Sequence, residues 1–330
     1  MTNIFSNKKI LVAGGTGLIG QQLVPKLINL GGKVFVASLD DKSLINNKIE
    51  DFYNLDLMNL DNCIKITKDK EIVFNLLGVT GTPKIGLEKP ASFMMSNIYC
   101  AINLLMAAQI SKVKKYLYTS TYGVYGQSQI MKEDDVWKTF PSDNVKFAGW
   151  AKRIGELQVE AVKIEYNFES LHIIRPANVY GPYDNFDPEN SRVISSLIRR
   201  IITGEDPLVV WGDGTAVRDF IFSTDVADAI IQVMQKDIEK PINIGSGTGV
   251  SIKKLVNTLL SSGMIKKKPK VVFDKTKPTG DKIILLDTSL AKSYGITNKI
   301  SLKEGLDKTI DWYLNNQSLT QKRFNYFKKS

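Results

Sequence analysis

The sequence contains few of the side chains that form disulfides or bind transition metals. It has two cysteines, Cys63 and Cys100, and one histidine, His172, in 330 residues. Two cysteines in a chain of this length are typical of interior residues in a reducing compartment, and they exclude a disulfide-rich secreted scaffold. His172 lies in an apolar stretch and is expected to be a core residue. We therefore expect no metal site and a cytoplasmic protein.

Long apolar runs and a secretory leader are also missing. Residues 1–9 contain no apolar core or cleavage site, and no apolar stretch approaches the ~20 residues that cross a bilayer. The net charge of +10 comes from scattered lysines, with short clusters at 112–115, 266–270 and the C-terminal tail. No base-reading motif accompanies them. We expect no membrane and no nucleic-acid partner, and the positive surface would help to capture an anionic substrate.

A glycine-rich turn near the start of the chain is the most informative feature that is present. In Lys9–Gly20, KILVAGGTGLIG, an apolar run leads into three glycines, and an amphipathic run follows. Strand, glycine turn and helix form the context in which such glycines bind a dinucleotide pyrophosphate at a helix N-terminus. The alternative is a tight turn of any α/β protein. The residues predicted to contact the dinucleotide here are Gly14, Thr16, Gly17, Leu18, Ile19 and Gly20.

Strand-like apolar runs alternate with helical patterns through the first half of the chain. This alternation predicts an α/β fold with a Rossmann-type, doubly wound parallel sheet. Ligands of such sheets bind beyond the carboxyl ends of the strands, where segments 14–20, 77–81 and 119–121 are expected to converge. The predicted strands are Lys9–Ala13, Lys33–Ser38, Ile72–Leu76, Lys115–Thr119 and Leu171–Arg175, and the predicted helices are Leu18–Leu30, Leu60–Lys68, Ser96–Ile110 and Lys152–Tyr166.

The alternation ends after Arg175. An irregular loop follows, and then a predicted helix, Ser191–Thr203, and a predicted strand, Leu208–Trp211. We assign residues 1–177, with 221–247 returning to the sheet, to a dinucleotide-binding domain. Residues 178–220 and 248–330 form the predicted smaller α/β domain, which would bind the substrate.

Two of the helical segments, Ser96–Ile110 and Gly149–Tyr166, carry apolar residues on more than one face. Such helices are usually buried on both sides. Packing against a second subunit would bury them, and burial within one chain would do the same. We expect a homodimer or homotetramer.

Seven motifs together resemble those of the extended short-chain dehydrogenase/reductase family that acts on nucleotide-sugars. The resemblance covers nearly the whole chain and keeps the family's order of motifs. It implies the fold, NAD chemistry and the substrate class, but not which reaction is run. The motifs are GGTGLIG (Gly14–Gly20), TSTYGVYG (Thr119–Gly126), AKRIGE (Ala151–Glu156), RPANVYGP (Arg175–Pro182), WGDGTAVRDFIF (Trp211–Phe222), NIGSG (Asn243–Gly247) and KPTGD (Lys277–Asp281).

The resemblance also implies roles for single residues. Thr121 would hydrogen-bond the reacting sugar oxygen, and Lys152 would bind the nicotinamide ribose. Arg218 would lie near the sugar-nucleotide pyrophosphate, unless it forms a surface ion pair with Asp219. The other implied contacts are Asp56 and Leu57 for the adenine, Leu77 and Gly78 for the cofactor, and Asn178 and Lys277 for the substrate.

The choice between NAD and NADP depends on the end of the second strand. Asp40 is the candidate for the acidic residue that binds a ribose hydroxyl about 20 positions after the glycines, although the family's usual position falls nearer Ser38. No arginine follows to receive a 2′-phosphate, and only Lys42 is close. The sequence therefore favours NAD.

One departure from the family concerns the residue that accepts the proton of the sugar hydroxyl. The family places a tyrosine four residues before the lysine, where its phenolate takes the proton from the sugar hydroxyl, but here that residue is Ala148. Losing a positioned acid or base typically costs on the order of 10²–10⁴ in rate. The protein could be an inactive binder, a substitute base such as Tyr122, Tyr125 or a water could serve, or slow redox chemistry could suffice.

Other departures bear on the reaction. Tyr122 and Gly123 follow Thr121, so the acidic residue that the family's 4,6-dehydratases need is missing. A 3,5-epimerase would need a further acid–base pair, which neither Cys100 nor His172 supports. The C4 epimerases keep the tyrosine.

We therefore predict NAD-dependent oxidation of a secondary hydroxyl, at C4, of a nucleotide-sugar. The chain is most similar to the branch acting on GDP-manno sugars and resembles the GDP-heptose C4-dehydrogenases of bacterial capsule pathways. A small keto acid would reoxidise a tightly bound NADH. The alternatives are a nucleotide-sugar 4-epimerase and a non-catalytic dinucleotide-binding protein.

Overall fold

The structure, a computed structural model, describes residues 3–79, 81, 83–168, 170–277, 279–320 and 322–328. Two segments of the sequence analysis, 77–81 and 277–281, contain Thr80 and Pro278, which lie outside the described residues. The named site residues all fall inside the described ranges.

Strands account for most of the elements that position the site. Four of the five predicted strands of the first half agree with the structure to within one residue, and the fifth, β6, is longer by one residue at each end. The strands are β1 (Lys9–Ala13), β2 (Lys33–Ala37), β3 (Asp51–Tyr53), β4 (Ile72–Asn75), β5 (Lys115–Thr119), β6 (Ser170–Pro176), β7 (Asn178–Tyr180), β8 (Leu208–Trp211), β9 (Val217–Phe222), β10 (Ile242–Ile244), β11 (Gly249–Ser251), β12 (Val271–Asp274) and β13 (Ile283–Ile284).

The helices differ from the prediction mainly at their starts. Two of them begin about six residues earlier than their apolar patterns indicated, because a proline or a polar turn opens each one. The helices are α1 (Gly20–Asn29), α2 (Leu60–Thr67), α3 (Pro83–Glu88), α4 (Pro90–Ile110), α5 (Lys146–Tyr166), α6 (Val193–Ile202), α7 (Ser223–Gln235), α8 (Ile252–Leu260), α9 (Ser289–Ser293), α10 (Leu302–Asn315) and α11 (Gln317–Thr320), with short 3₁₀ turns at Lys42–Leu44, Tyr122–Val124, Glu133–Lys138, Asp143–Val145 and Tyr326–Lys328.

A seven-stranded parallel sheet forms the centre of the molecule and confirms the predicted fold class. Its order is β3-β2-β1-β4-β5-β6-β10. Successive residues of β1 point to opposite faces: Ile10 and Val12 join one core cluster, and Leu11 and Ala13 join the other. Because both faces are covered by helices, the strands are apolar throughout rather than alternating. The order reverses between β1 and β4, which is where a doubly wound sheet binds its ligand.

A second, smaller group of elements lies beside the large sheet. Strand β9 pairs with β7 and β13 in parallel and with β11 antiparallel, and β8 pairs with β12. Helices α6, α8 and α10 contribute to a third core cluster around these strands. The predicted domain boundaries at 177, 220 and 247 remain an assignment from the sequence, although β10 does join the large sheet.

Helix α4 departs from one expectation about membranes. It is 21 residues long and, by length and composition alone, apolar enough to cross a bilayer, whereas the sequence analysis expected no such run. It packs against α5 and α2, and Leu104 and Leu105 on it are fully buried in the core. A buried core helix passes the same test, so α4 is weak evidence for a membrane span.

Candidate active site

A cleft of about 700 Å³ opens beyond the carboxyl ends of the central strands. It brings together every residue that the sequence analysis assigned to the cofactor and to catalysis. The predicted residues that line it are Gly14, Thr16, Gly17, Leu18, Ile19, Gly20, Asp40, Asp56, Leu57, Leu77, Gly78, Thr121, Tyr122 and Lys152.

The glycine turn forms a tight cradle at the end of β1. Gly14 has φ +83°, a conformation that side chains disfavour. A Cβ on Gly20 would lie 2.4 Å from the carbonyl oxygen of Gly14, so only glycine lets α1 start this close to the strand. No side chain caps α1 and no acidic residue lies in its first turn. The positive end of the helix therefore faces the cleft uncompensated and fits a pyrophosphate.

The Asp40 carboxylate lies beside this cradle. Its Oδ2 accepts a hydrogen bond of 2.7 Å from the hydroxyl of Thr16, which also lies 2.6 Å from the hydroxyl of Ser38. The Asp40 N–H in turn donates to Ser38 Oγ at 3.1 Å. The sequence analysis considered the positions of both Ser38 and Asp40 for the acidic residue that binds a ribose hydroxyl. In the structure the two residues belong to one hydrogen-bonded group. In that group Asp40 supplies the carboxylate.

The C-terminal segment, residues 323–327, also lines the cleft, and sequence reasoning missed it. The Phe324 N–H donates to Asp40 Oδ1 at 2.7 Å, and the Arg323 guanidinium lies 3.7 Å from Asp40 Oδ2. Arg323 also donates to the carbonyl oxygen of Thr16 at 3.3 Å and to that of Tyr183. No motif marks these residues, since their contacts span about three hundred positions of chain.

The same segment reaches the side of the cleft predicted to hold adenine. The Tyr326 hydroxyl lies 3.5 Å from the sulfur of Met58, next to the Asp56–Leu57 pair. The ring of Phe327 stacks on Phe93 with centroids 6.0 Å apart. This end of the cleft is therefore walled by aromatic rings from the far end of the chain.

Lys152 lies on α5 at the centre of the cleft floor. Its Nζ donates to two backbone carbonyls, those of Leu77 and Thr119, at 2.9 Å each. It lies 5.0 Å above the ring of Tyr118. Burial lowers the pKa of Lys152 to about 8, offset partly by Cys100 and Glu156. This lysine is fixed by the ends of β4 and β5.

Thr121 and Ala148 lie near Lys152 along the same wall. The Thr121 Oγ1 accepts a long hydrogen bond from the Gly123 N–H at 3.3 Å, so its own hydrogen is available to a ligand. Ala148, one helical turn before Lys152, also lines the cleft and fills little space. The buried hydroxyls of Thr119 and Ser120 have no hydrogen-bond partner within the described part of the chain. Polar groups left in this state fit a site that a polar cofactor completes.

Tyr122 lies between the cleft and two arginines. Burial raises its pKa, and the nearby Arg218 and Arg192 lower it in part. Arg218 is not paired with Asp219, because the Asp219 carboxylate accepts from Ser246 instead. The surface ion pair considered from the sequence is therefore excluded, although Arg218 does not itself line the cleft.

Arg192 is a site residue that the sequence analysis did not single out. It lines the cleft and lies 3.4 Å from Asp184 Oδ1. The helix that follows it, α6, was predicted, but nothing local indicated which way this arginine points. Together with Arg218 it supplies positive charge near Tyr122.

Besides Arg218, two further predicted substrate residues lie apart from the cleft lining. Asn178 donates from Nδ2 to the backbone carbonyl of Asp219 at 3.0 Å, so it ties β7 to β9. Lys277 is exposed in the turn after β12. There the Asp274 carboxylate binds Thr276 and holds the turn at the surface. The structure therefore does not bring Lys277 to the predicted substrate site.

Three other candidates of the sequence analysis can be placed. Tyr125 is buried outside the cleft, where its hydroxyl donates to Asn243 at 2.6 Å. Cys100, expected in the core, instead lines the cleft, and burial raises its pKa to about 12. His172 is fully buried in β6 and bonded to Ser170, as expected of a core residue. Among the described residues, no three His, Cys, Asp or Glu side chains cluster as a metal site would require.

Comparison with known proteins agrees with this geometry. The family model described as "NAD dependent epimerase/dehydratase family" matches residues 10–245. The chain is 32% identical over 93% of its length to a putative GDP-L-fucose synthase 2 of Arabidopsis thaliana, covering 92% of that protein. It is 27% identical to the GDP-L-colitose synthase of Yersinia pseudotuberculosis, with 94% and 99% covered. A solved UDP-glucose 4-epimerase of Thermotoga maritima, with UDP-glucose, is 29% identical with a TM-score of 0.83, covering 94% and 99% of the two chains.

Proposed function

Because this chain belongs to the NAD dependent epimerase/dehydratase family, we propose that it oxidises a secondary hydroxyl, at C4, of a nucleotide-sugar to a ketone. The cofactor is NAD, which supplies the hydride acceptor when bound. The observation that carries the proposal is the position of Thr121 and Lys152 in one cleft with the glycine cradle, while Ala148 offers no acid or base. Among the reactions considered, a single oxidation requires the fewest catalytic groups, because the site has to orient only one hydroxyl and move only one proton.

The roles of the chain's own residues follow from their positions. The glycine cradle and the start of α1 would hold the pyrophosphate of NAD, and Asp40 its adenosine ribose. Lys152 would hold the nicotinamide ribose. Thr121 would hydrogen-bond the C4 oxygen of the sugar and orient its C–H bond. Arg218 and Arg192 would balance the charge of the sugar-nucleotide diphosphate.

We propose a GDP-linked manno-type sugar or heptose as the substrate. The names of the relatives in Arabidopsis and Yersinia both contain GDP-sugars, which supports guanine as the base. The resemblance to GDP-heptose enzymes of capsule biosynthesis supports a heptose, a sugar with seven carbons, as the substrate. A small keto acid would reoxidise the bound cofactor, and the reaction would take place in the cytoplasm.

A homodimer is proposed through α4 and α5. The two helices pack on each other, and several large apolar side chains on them remain exposed: Met95, Tyr99, Ile110, Leu157 and Ile164. Exposed apolar patches of this kind mark interfaces. Sedimentation of a Leu157→Glu variant should show a smaller species than the parent, and an unchanged monomer for both would contradict the proposal.

The test of function begins with the cofactor. The purified protein is denatured and the released dinucleotide identified. The native protein is then offered GDP-mannose and a GDP-heptose, with UDP-glucose as the control, while reduced nicotinamide and carbonyl formation are followed. Ketone formation from a GDP-sugar, with one reduced nicotinamide per ketone, is the expected result.

Two alternatives predict other outcomes of the same experiment. A 4-epimerase, favoured by the likeness to the Thermotoga maritima structure, would yield an inverted sugar without accumulated ketone or net redox change. A non-catalytic dinucleotide-binding protein would release a dinucleotide on denaturation but turn over none of the sugars. Either outcome would contradict the dehydrogenase.

A further inference from the structure

Lys152 is a half-buried residue whose amine lines the cleft. Its Nζ lies 2.9 Å from the carbonyl oxygens of both Leu77 and Thr119, which end neighbouring segments of the parallel sheet. It shares the cleft lining with Thr121 and Ala148. A hydroxyl, a methyl group and this nitrogen therefore line the same cleft, and none of the three is a tyrosine.

The two carbonyls match the hydrogen-bonding capacity of a neutral amine. A neutral amine has two N–H bonds and one lone pair, whereas an ammonium group has three N–H donors and no acceptor. The carbonyls of Leu77 and Thr119 take both N–H bonds of the neutral form, which leaves the lone pair for another partner. In the charged form, the third N–H is left for the same partner. The site therefore suits an amine that gains and loses one proton.

No carboxylate holds Lys152 in its charged form. Among the described residues no acidic side chain forms an ion pair with it. The nearest acid, Glu156, accepts both of its hydrogen bonds from Arg175, at 2.7 and 2.9 Å. The titratable groups that face Lys152 from neighbouring elements are Cys100 on α4 and Tyr118 on β5, and burial raises the pKa of both. Since these two stay neutral near neutral pH, the burial of Lys152 brings its own pKa to about 8.

The two tyrosines that could accept the proton of the sugar hydroxyl are less suitable than Lys152. The Tyr125 hydroxyl is bound by Asn243 and Arg175 outside the cleft. Tyr122 lines the cleft, but burial raises its pKa despite the neighbouring arginines. A tyrosine with a raised pKa is a poor base at neutral pH.

We propose that Lys152 itself accepts the proton of the sugar hydroxyl, in place of the tyrosine. This inference rests on the proposed function and deepens it, and it replaces the contact of Lys152 with the nicotinamide ribose, because the two carbonyls and the sugar hydroxyl take all three positions on the neutral amine. The O–H bond at C4 breaks and an N–H bond forms on Nζ, which becomes ammonium. The C4–H electron pair leaves as hydride to NAD as the carbonyl forms. In the reverse direction, the ammonium returns the proton to the oxygen.

The first test measures the protonation of the Lys152 amine directly and does not depend on turnover. Protein labelled with ¹⁵N at the lysine side chains is titrated by NMR, and the Lys152 signal is assigned by its absence in Lys152→Arg. A midpoint near 8 is expected, against about 10.4 for an unperturbed lysine. A midpoint of 10 or above for Lys152 would overturn the proposal, because the amine would then carry no lone pair near neutral pH.

The second test uses variants. Lys152→Arg keeps the positive charge and the donors to both carbonyls, but it does not deprotonate. Ketone formation should fall by about 10²–10⁴ while the dinucleotide is still recovered from the denatured protein. Lys146→Arg should behave as the parent. Oxidation by the parent should rise with pH through about 8, because the neutral amine is the active form, and added methylamine should partly restore Lys152→Ala.

The outcomes separate this inference from the function on which it rests. A parent protein that makes no ketone from any GDP-sugar contradicts the proposed function. A parent that makes ketone, with a Lys152→Arg variant equally active, leaves the function intact and refutes the role of Lys152.

Discussion

The two sides of the cleft differ in how the chain builds them. One side, which we call the strand-end side, consists of the glycine turn, Leu77, Thr121 and Lys152, all within or next to the parallel sheet. The other side, the rim, consists of lining residues from segments 183–192 and 323–327, which come from distant parts of the chain. The strand-end side is fixed by local backbone geometry, and the rim is fixed by contacts between remote segments. We expect the cofactor chemistry on the first side and closure around the ligands from the second.

The largest effect is expected on the strand-end side at Gly20. In Gly20→Ala the new Cβ would lie 2.4 Å from the Gly14 carbonyl oxygen, which forces the cradle open and costs about 1–3 kcal/mol. We expect the purified variant to retain less than a tenth of the parent's dinucleotide. Gly263→Ala is the control, because no described atom lies within 4 Å of the position that its new methyl group would take. Full retention in Gly20→Ala would show that the cradle does not hold the cofactor.

Thr121→Val removes the hydroxyl but keeps the shape, and its effect is expected on turnover rather than on cofactor retention. The rate of ketone formation should fall about 10–100-fold, since one hydrogen bond to the reacting oxygen is lost. Binding of the nucleotide-sugar, measured by calorimetry, should change little. Thr203→Val, at the exposed end of α6, should leave both properties at parental values. Parental turnover in Thr121→Val would show that another group orients the sugar.

Arg218 and Lys277 were both predicted to bind the substrate, and their variants test which of the two does so. Arg218 lies close to Tyr122 and forms no ion pair with an acidic side chain among the described residues, whereas Lys277 is exposed in a surface turn. Arg218→Ala should raise KM for the nucleotide-sugar about tenfold if its charge, close to Tyr122, attracts the diphosphate as proposed, since such an interaction is worth roughly 1–3 kcal/mol. Lys277→Ala should leave KM unchanged. The reverse pattern would restore the sequence-based role of Lys277 and remove that of Arg218.

The smallest effect is expected at the rim. Arg323 joins Asp40 and Thr16 on one side of the cleft mouth to Tyr183 on the other. Arg323→Ala should therefore speed the exchange of bound dinucleotide with an isotopically labelled one, by about threefold to tenfold. Lys322→Ala is the matched control, because its Nζ lies 3.0 Å from the Ser43 hydroxyl and the residue does not line the cleft. Equal exchange rates in both variants would mean that the rim does not close the cleft.

The parallel sheet could be predicted because its strands are buried on both faces and therefore appear as apolar runs. Strands such as Lys9–Ala13 and Lys115–Thr119 agree residue for residue. Strand β3, Asp51–Tyr53, was missed because it is a three-residue edge strand with partly exposed side chains, which leave no apolar run. The membrane criterion met by α4 was missed because its apolar residues are interrupted by polar ones such as Asn97.

The candidate site was predictable where a backbone requirement leaves a mark in the sequence. Gly14 and Gly20 are required by a positive φ and by a close contact, and both are visible as glycines. The tail residue Arg323 reaches the same cleft only through the tertiary fold, so no local pattern could indicate it. Lys277 shows the opposite case, in which a motif carried an expectation that the surface position of the turn does not support.

The most direct test of the account is the position of the carbonyl in the product. The protein, with its bound NAD, is incubated with a GDP-heptose and a small keto acid, and the mixture is then treated with sodium borodeuteride. The account predicts deuterium at C4 of the recovered sugar, in an amount that matches the keto acid reduced. Recovery of a C4-inverted sugar without deuterium would contradict it.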